Sequence, residues 1–212
     1  SRVHHTVENK RGSGGEKVSY GNRGGIYPNI TPNHTIASFY NSYLDIKPED
    51  DQSYDWKDIK TFTVDFWAVL EGSSKQTLFR MDNNSGKRMI SLEFDGTDKL
   101  TLTLSDDSAC PPYTLVNEDE KFYHFAISRD SEGKTRLFVN GIFIDDSSCP
   151  NKDETLDIRR ITIGRNGTEN TQYFQGFMDE FRFYNKAIWT DSFDDKCPIN
   201  NPSEPEEECP AY

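Results

Sequence analysis

Cleaving a glycosidic bond takes an acid and a nucleophile on either side of one oxygen, which in sequence means two carboxylates on the same face of one element. The nearest arrangement is Met178-Asp179-Glu180-Phe181-Arg182. On a regular strand the adjacent Asp179 and Glu180 point to opposite faces and cannot share a substrate. Nucleophilic chemistry would need a histidine beside a hydroxyl and an acid. His124 sits in the apolar run Phe122-Tyr123-His124-Phe125-Ala126-Ile127, and no G-x-S-x-G elbow accompanies it, which disfavours a nucleophilic site. His4, His5 and His34 lie in the polar opening stretch and carry little information.

Binding chemistry is better supplied. A sugar is held by a ring against its apolar face and by directional polar groups at its hydroxyls. Trp67, Tyr113, Tyr173 and Trp189 are candidate rings, each with packing as its competing role. Arg80, Lys87 and Arg88 flank the polar turn Asp82-Asn83-Asn84-Ser85-Gly86, where they could receive an acidic sugar or a carboxylated partner; a solvated hairpin end is the alternative. Acidic clusters at 49–51, 106–107, 145–146 and 194–195 either solvate loops or bind a hard cation, and no contiguous D-x-D-x-D-G loop is present.

Strands must carry these side chains, because the dominant pattern is period two. In 61–70, Phe62, Val64, Phe66, Ala68 and Leu70 share one face, with Thr61, Thr63, Asp65 and Trp67 on the other. Leu92 and Phe94 lead through Asp95-Gly96-Thr97-Asp98 to Leu100, Leu102 and Leu104, a hairpin. A second hairpin, 136–139 to 142–144, pivots on Asn140-Gly141, which suits a type I′ turn. Further strands are expected at 36–40, 43–46, 77–81, 122–128, 159–164 and 177–184, with one short helix around 188–194. Many short strands between polar turns give an all-β, two-sheet antiparallel β-sandwich.

Composition narrows the setting. Hydrophobic residues are only 33% of the 212, but 14 Phe and 10 Tyr can fill the gap between two sheets. A net charge of −12 repels polyanions, which argues against a nucleic-acid partner. No apolar run reaches the roughly 20 residues of a membrane-spanning helix, so no membrane insertion by this segment is expected. The chain starts at Ser1 without a signal-like stretch, as a processed form or fragment would. Four cysteines allow three pairings. Cys110 and Cys149 each follow a predicted strand in similar Asp-Asp-Ser-x-Cys-Pro settings, which favours Cys110 with Cys149 and leaves Cys197 with Cys209. Zinc is disfavoured by the absence of a CxxC pair. Sequons at Asn29, Asn33, Asn83 and Asn166 agree with a secreted, oxidising, extracellular or cell-surface setting.

Four segments, Phe39 to Ile46, Phe62 to Trp67, Tyr123 to Asp145 and Ile161 to Tyr184, resemble in order and spacing the laminin-G-like and pentraxin-like branch of the concanavalin A-like jelly rolls, over roughly residues 34–195. The resemblance implies the sandwich, a packed His124 at the family's H-x-A position, and a structural calcium ligand at Asp179. The alternative for Asp179 is capping of backbone amides or pairing with Arg182. Glucan-cleaving members of the superfamily carry an E-x-D-x-x-E strand, which this sequence lacks, and the superfamily also includes lectins and receptor-binding modules.

The resulting expectation has three parts: an extended or flexible arm over 1–33, the sandwich over 34–196, and a Pro/Glu-rich, disulfide-looped tail over 197–212. The function expected is non-catalytic extracellular recognition of a glycan or glycoprotein. Its rival is a structural assembly domain that docks to sister modules. Structural calcium is the only cofactor expected.

Overall fold

The computed structural model describes residues 5–11, 17–22, 35–48, 56–105, 107–116, 121–144, 149, 154–167 and 169–193. Its strands in chain order are β1 (His5–Arg11), β2 (Ser19–Asn22), β3 (Thr35–Tyr40), β4 (Ser42–Pro48), β5 (Phe62–Leu70), β6 (Gln76–Asp82) and β7 (Arg88–Phe94). They continue with β8 (Lys99–Leu104), β9 (Tyr113–Thr114), β10 (Tyr123–Arg129), β11 (Thr135–Val139), β12 (Ile142–Ile144), β13 (Arg160–Ile163) and β14 (Gln175–Tyr184). The first sheet has the order β1-β4-β13-β6-β7-β8-β9 and the second β12-β11-β10-β5-β14-β3-β2.

Period-two patterning sets the layers. Phe62, Val64, Phe66, Ala68 and Leu70 of β5 are all buried between the sheets. Phe66 is central, with ring centroids 5.8 Å from Phe79, 5.6 Å from Phe125 and 5.5 Å from Phe181, so both sheets are locked through one aromatic cluster. Both predicted hairpins form. Asn140 and Gly141 take φ of 49° and 71°, the left-handed values a type I′ turn requires. At the β7–β8 turn the Asp95 carboxylate accepts from the amides of Thr97, Asp98 and Lys99. Burial pulls that carboxyl up, but these amides and the Thr97 hydroxyl outweigh it and hold it at about 2.

Three features differ from the sequence reading. Within the stretch read as an arm, β1 and β2 extend the two sheets by pairing with β4 and β3, which are separated by Asn41 alone. The Asn9 side chain donates to Val18 O at 2.8 Å and accepts from Val18 N at 2.9 Å, which sets Val18 into the core beside Phe39. The expected helix at 188–194 is not formed over its described residues, 188–193. That segment is held to the second sheet instead: Phe193 N donates to Gly141 O and Phe143 N to Ser192 Oγ, which caps the short edge strand β12. The third difference is β9, a two-residue strand too short to leave a periodic signal.

Cys110 and Cys149 are disulfide-bonded, Cα atoms 4.5 Å apart, which ties the chain after β8 to the chain after β12. Cys197, Cys209 and the tail lie outside the described residues, as do Asn29 and Asn33. No helix of the structure is long and apolar enough to cross a membrane. The bond closes a loop of sequence separation 39. Cys149→Ser should therefore lower unfolding free energy by about 4 kcal/mol on the chain-entropy scale, read as a drop in denaturant midpoint at unchanged slope. An unchanged midpoint would show that the loops are held by other contacts.

Candidate functional site

Each sheet turns alternate side chains outward, and the two outer faces are built differently. On the second sheet, Asp65 is fully buried and carries two partners: His124 Nε2 at 3.2 Å, and the Arg182 guanidinium through Nε at 3.1 Å and through Nη2. Residues 186–193 lie over this network. Thr63 Oγ1 donates to Lys186 O and accepts from Ile188 N, both at 2.9 Å. Trp189 and Phe193 then stack at 4.1 Å, with their rings 5.9 and 5.8 Å from His124. This strap seals a small apolar layer outside the main core. His124 is thus the packed, hydrogen-bonded histidine that the resemblance to laminin-G-like domains implied.

Trp67, a candidate ligand ring, belongs to the same layer. It is half-buried with its centroid 4.9 Å from His124, so it is not an open sugar platform. Asp179 pairs in register with Trp67, and there β14 bulges: Asp179 opposes Trp67 and Arg182 opposes Asp65, so Glu180 and Phe181 together oppose Phe66. Glu180 has a φ of 49°. Strict alternation, the premise that set Asp179 and Glu180 on opposite faces, fails at this bulge. Phe181 takes the inward place, while the Glu180 carboxylate lies 3.5 Å from Arg182 Nη1. Asp179 Oδ1 accepts from the Glu180 amide at 2.8 Å, which is the capping role. Among the described residues no group of three His, Cys, Asp or Glu side chains is placed to hold a metal ion.

The first sheet's outer face is polar over its central strands. Cross-strand register sets Asp45, Thr162, Arg80, Ser91 and Thr103 in one row over β4, β13, β6, β7 and β8, with Arg160, Asp82 and Arg88 in the next. Arg160 grips Asp45 through both Nε and Nη2. Arg80 Nε donates to Asp82 Oδ1 at 2.6 Å, its Nη1 to Asn166 Oδ1 at 2.8 Å and its Nη2 to Gly86 O at 3.3 Å. Arg88 is paired with Asp107 and lies 3.6 Å from Glu93. Burial pushes the Asp82 carboxyl up, with the hydrogen bond and charge of Arg80 only partly opposing. Under the arginines, Ser91 Oγ, Thr162 Oγ1 and Asp82 Oδ2 are buried without a hydrogen-bond partner. Gly167 (φ +55°) lies directly against this pair; a Cβ there would sit 2.8 Å from Arg80 Nε.

One end of this face is aromatic. The Arg165 guanidinium lies 3.6 Å from the centre of the Tyr43 ring and donates to Asn170, and Tyr173 lies 6.3 Å from Tyr43. Of the residues singled out in sequence, Arg80, Arg88 and Tyr173 therefore come to one side, with Trp67 and Asp179 on the opposite sheet. Tyr113 is in β9 at the edge of the first sheet, paired with Leu100 and packed on the core rather than in a loop. Sequence reasoning missed Asp45, Arg160, Thr162 and Ser91. Their signal is the polar half of the same alternation, Arg160-Ile161-Thr162-Ile163 and Ile90-Ser91-Leu92.

Two stacked antiparallel sheets define a lectin-type β-sandwich. Residues 40–191 match the Laminin_G_3 model, described as the concanavalin A-like lectin/glucanases superfamily, and the chain belongs to that family. No curated protein matches the sequence. Among solved structures, a heptameric SAP-like pentraxin from Limulus polyphemus is similar at TM-score 0.51 and 16% identity, over 62% of this chain and 66% of that one. The CBM40 of a Ruminococcus gnavus IT-sialidase, bound to α2,3 sialyllactose, is similar at TM-score 0.51 and 15% identity, over 62% and 79%. The binding domain of botulinum neurotoxin serotype G is similar at TM-score 0.59 and 14% identity, over 89% of this chain and 45% of that one. At such identities these likenesses establish the fold alone.

The buried Asp65 gives a direct test of the strapped face. Arg182→Ala leaves that carboxylate with His124 only, and should cost about 3 kcal/mol in urea unfolding, with Arg182→Lys recovering part of it. A loss below about 0.5 kcal/mol, the range of an ordinary surface substitution, would show that the ion pair is dispensable.

Proposed function

We propose that this chain is an extracellular, non-catalytic recognition module that engages a glycan or a glycoprotein through the outer face of its first sheet. The observation that carries the reading is the row of partly exposed arginines, Arg160, Arg80 and Arg88, that this face presents outward over buried carboxylates. Guanidinium groups held in place offer directional donors to a ligand's oxygens. Tyr43 and Tyr173 add ring surface at one end, as a sugar site requires. The structural neighbours support the general class, since one is a sialidase module bound to sialyllactose and another a neurotoxin binding domain in complex with synaptotagmin. The disulfide and the laminin-G-type family support an extracellular setting.

A glycan array probed with and without calcium tests the reading. Reproducible binding that Arg160→Gln and Arg88→Gln weaken supports it. Loss on chelation would add a calcium ion of the kind expected at Asp179. Silence on the array together with ordered self-association would transfer the reading to an assembly domain that docks to sister modules.

The sequons give a further expectation. Asn83 lies in the exposed β6–β7 turn, whereas Asn166 is buried with Nδ2 donating to Glu169. Glycopeptide mass spectrometry of secreted protein should find a glycan on Asn83 and none on Asn166. Occupancy at Asn166 would contradict the packing of the β13–β14 loop.

A further inference from the structure

We infer that the ligand of this face is anionic, a sugar carrying a carboxylate or sulfate, and that Arg160, Arg80 and Arg88 determine the preference. The inference rests on the glycan-binding reading and deepens it. Its basis is an asymmetry of depth within the ion pairs. The Arg160 side chain is 25% exposed over an Asp45 that is 6% exposed. Arg80 is 13% exposed over Asp82 at 2%, and Arg88 is 19% exposed over Glu93 at 9%. In each pair the anion lies inward and the cation outward. Such a pair is neutral in sum but presents a positive end to anything approaching from water, because Coulomb energy falls with distance and the nearer charge dominates. On a chain of net charge −12, this is a surface where a negative ligand is tolerated.

The spacing fits a small anionic sugar. β13, β6 and β7 are consecutive in the sheet, so the three arginines sit on strands roughly 5 Å apart and span about 10 Å. Asp45 takes Nε and Nη2 of Arg160, which leaves Nη1 for a ligand oxygen. Arg88 already holds an anion in the manner proposed. Its Nη2 pairs with Asp107, whose side chain is 76% exposed. That exposed carboxylate contributes little as a surface pair, so a ligand carboxylate or sulfate can replace it at small cost.

Titration calorimetry on the whole chain with 3′-sialyllactose, 3′-sulfated lactose and lactose tests this, the first two separating carboxylate from sulfate. At least one anionic form should bind about tenfold or more tightly than lactose, with affinity falling as salt rises. Arg88→Gln should remove most of that preference. Asp107→Asn should strengthen anionic binding a fewfold, roughly the value of a surface pair, an outcome that damaged folding cannot produce. Equal affinity for lactose, or an anionic preference that neither variant changes, overturns the inference and leaves the glycan reading standing. Silence on the glycan array overturns both.

Discussion

An outward-pointing carboxylate that its neighbours roof over has lost its water and must be matched by a cation, and both sheets of this molecule meet that constraint in the same way. Asp65 lies under Arg182, Asp45 under Arg160, Asp82 under Arg80, and Glu93 under both Lys75 and Arg88. Removing one charge from water costs several kcal/mol, and the partner returns about as much, so these pairs add little net stability. What they fix is register. Asp45–Arg160 ties β4 to β13, and Asp65–Arg182 ties β5 to β14 across the bulge. A one-residue slip of either strand would leave a carboxylate unmatched and turn its apolar neighbours to the wrong side.

Beyond that shared device the two faces diverge, and the difference comes from the segment after β14. The second sheet's outer face carries rings, Trp67, Phe138 and Phe143, and residues 186–193 return over them with Trp189 and Phe193. Hydrophobic burial is satisfied within the chain, so that face is closed. The first sheet carries hydroxyls and ion pairs, to which a ring-bearing strap would bring nothing. Among the described residues it is covered at one end, by the β13–β14 loop through Asn166 and Gly167, and elsewhere presents guanidinium groups. The open face is the one whose chemistry no segment of the described chain completes.

Local rules read much of this correctly. The alternation of 61–70, the Asn140-Gly141 turn and the four segments that resemble laminin-G-like domains place the strands and sheets, because each depends on neighbours one or two residues away. Failures occur where a distant contact overrides the local pattern. Residues 188–194 have a helical spacing of rings, Trp189 and Phe193 being four apart, yet the rings stack against each other on a sheet the sequence does not reveal as their partner. Glu180 breaks alternation through a bulge that carries no glycine signal. Of the candidate-site residues, Arg80 and Arg88 are legible as charges beside a turn, but not their depth relative to Asp82 and Glu93. That depth depends on the roof made by neighbouring strands.

The N-terminal strands show how far the fold exceeds its family signature. The family match begins at residue 40, yet Val18 is core and β2 shields the edge of β3, where Ile36 and Phe39 are buried. Few aliphatic residues are needed there, because an edge strand contributes mainly backbone hydrogen bonds, and Asn9 supplies two more to Val18 from its side chain. Low hydrophobicity therefore does not by itself mark this opening stretch as separate from the sandwich. Both sheets would otherwise end in the unpaired edges of β3 and β4, and such edges recruit strands from other molecules. β1 and β2 cover the edges of β4 and β3 and stand as the outer strands of the two sheets on that side, so the opening stretch belongs to the sandwich.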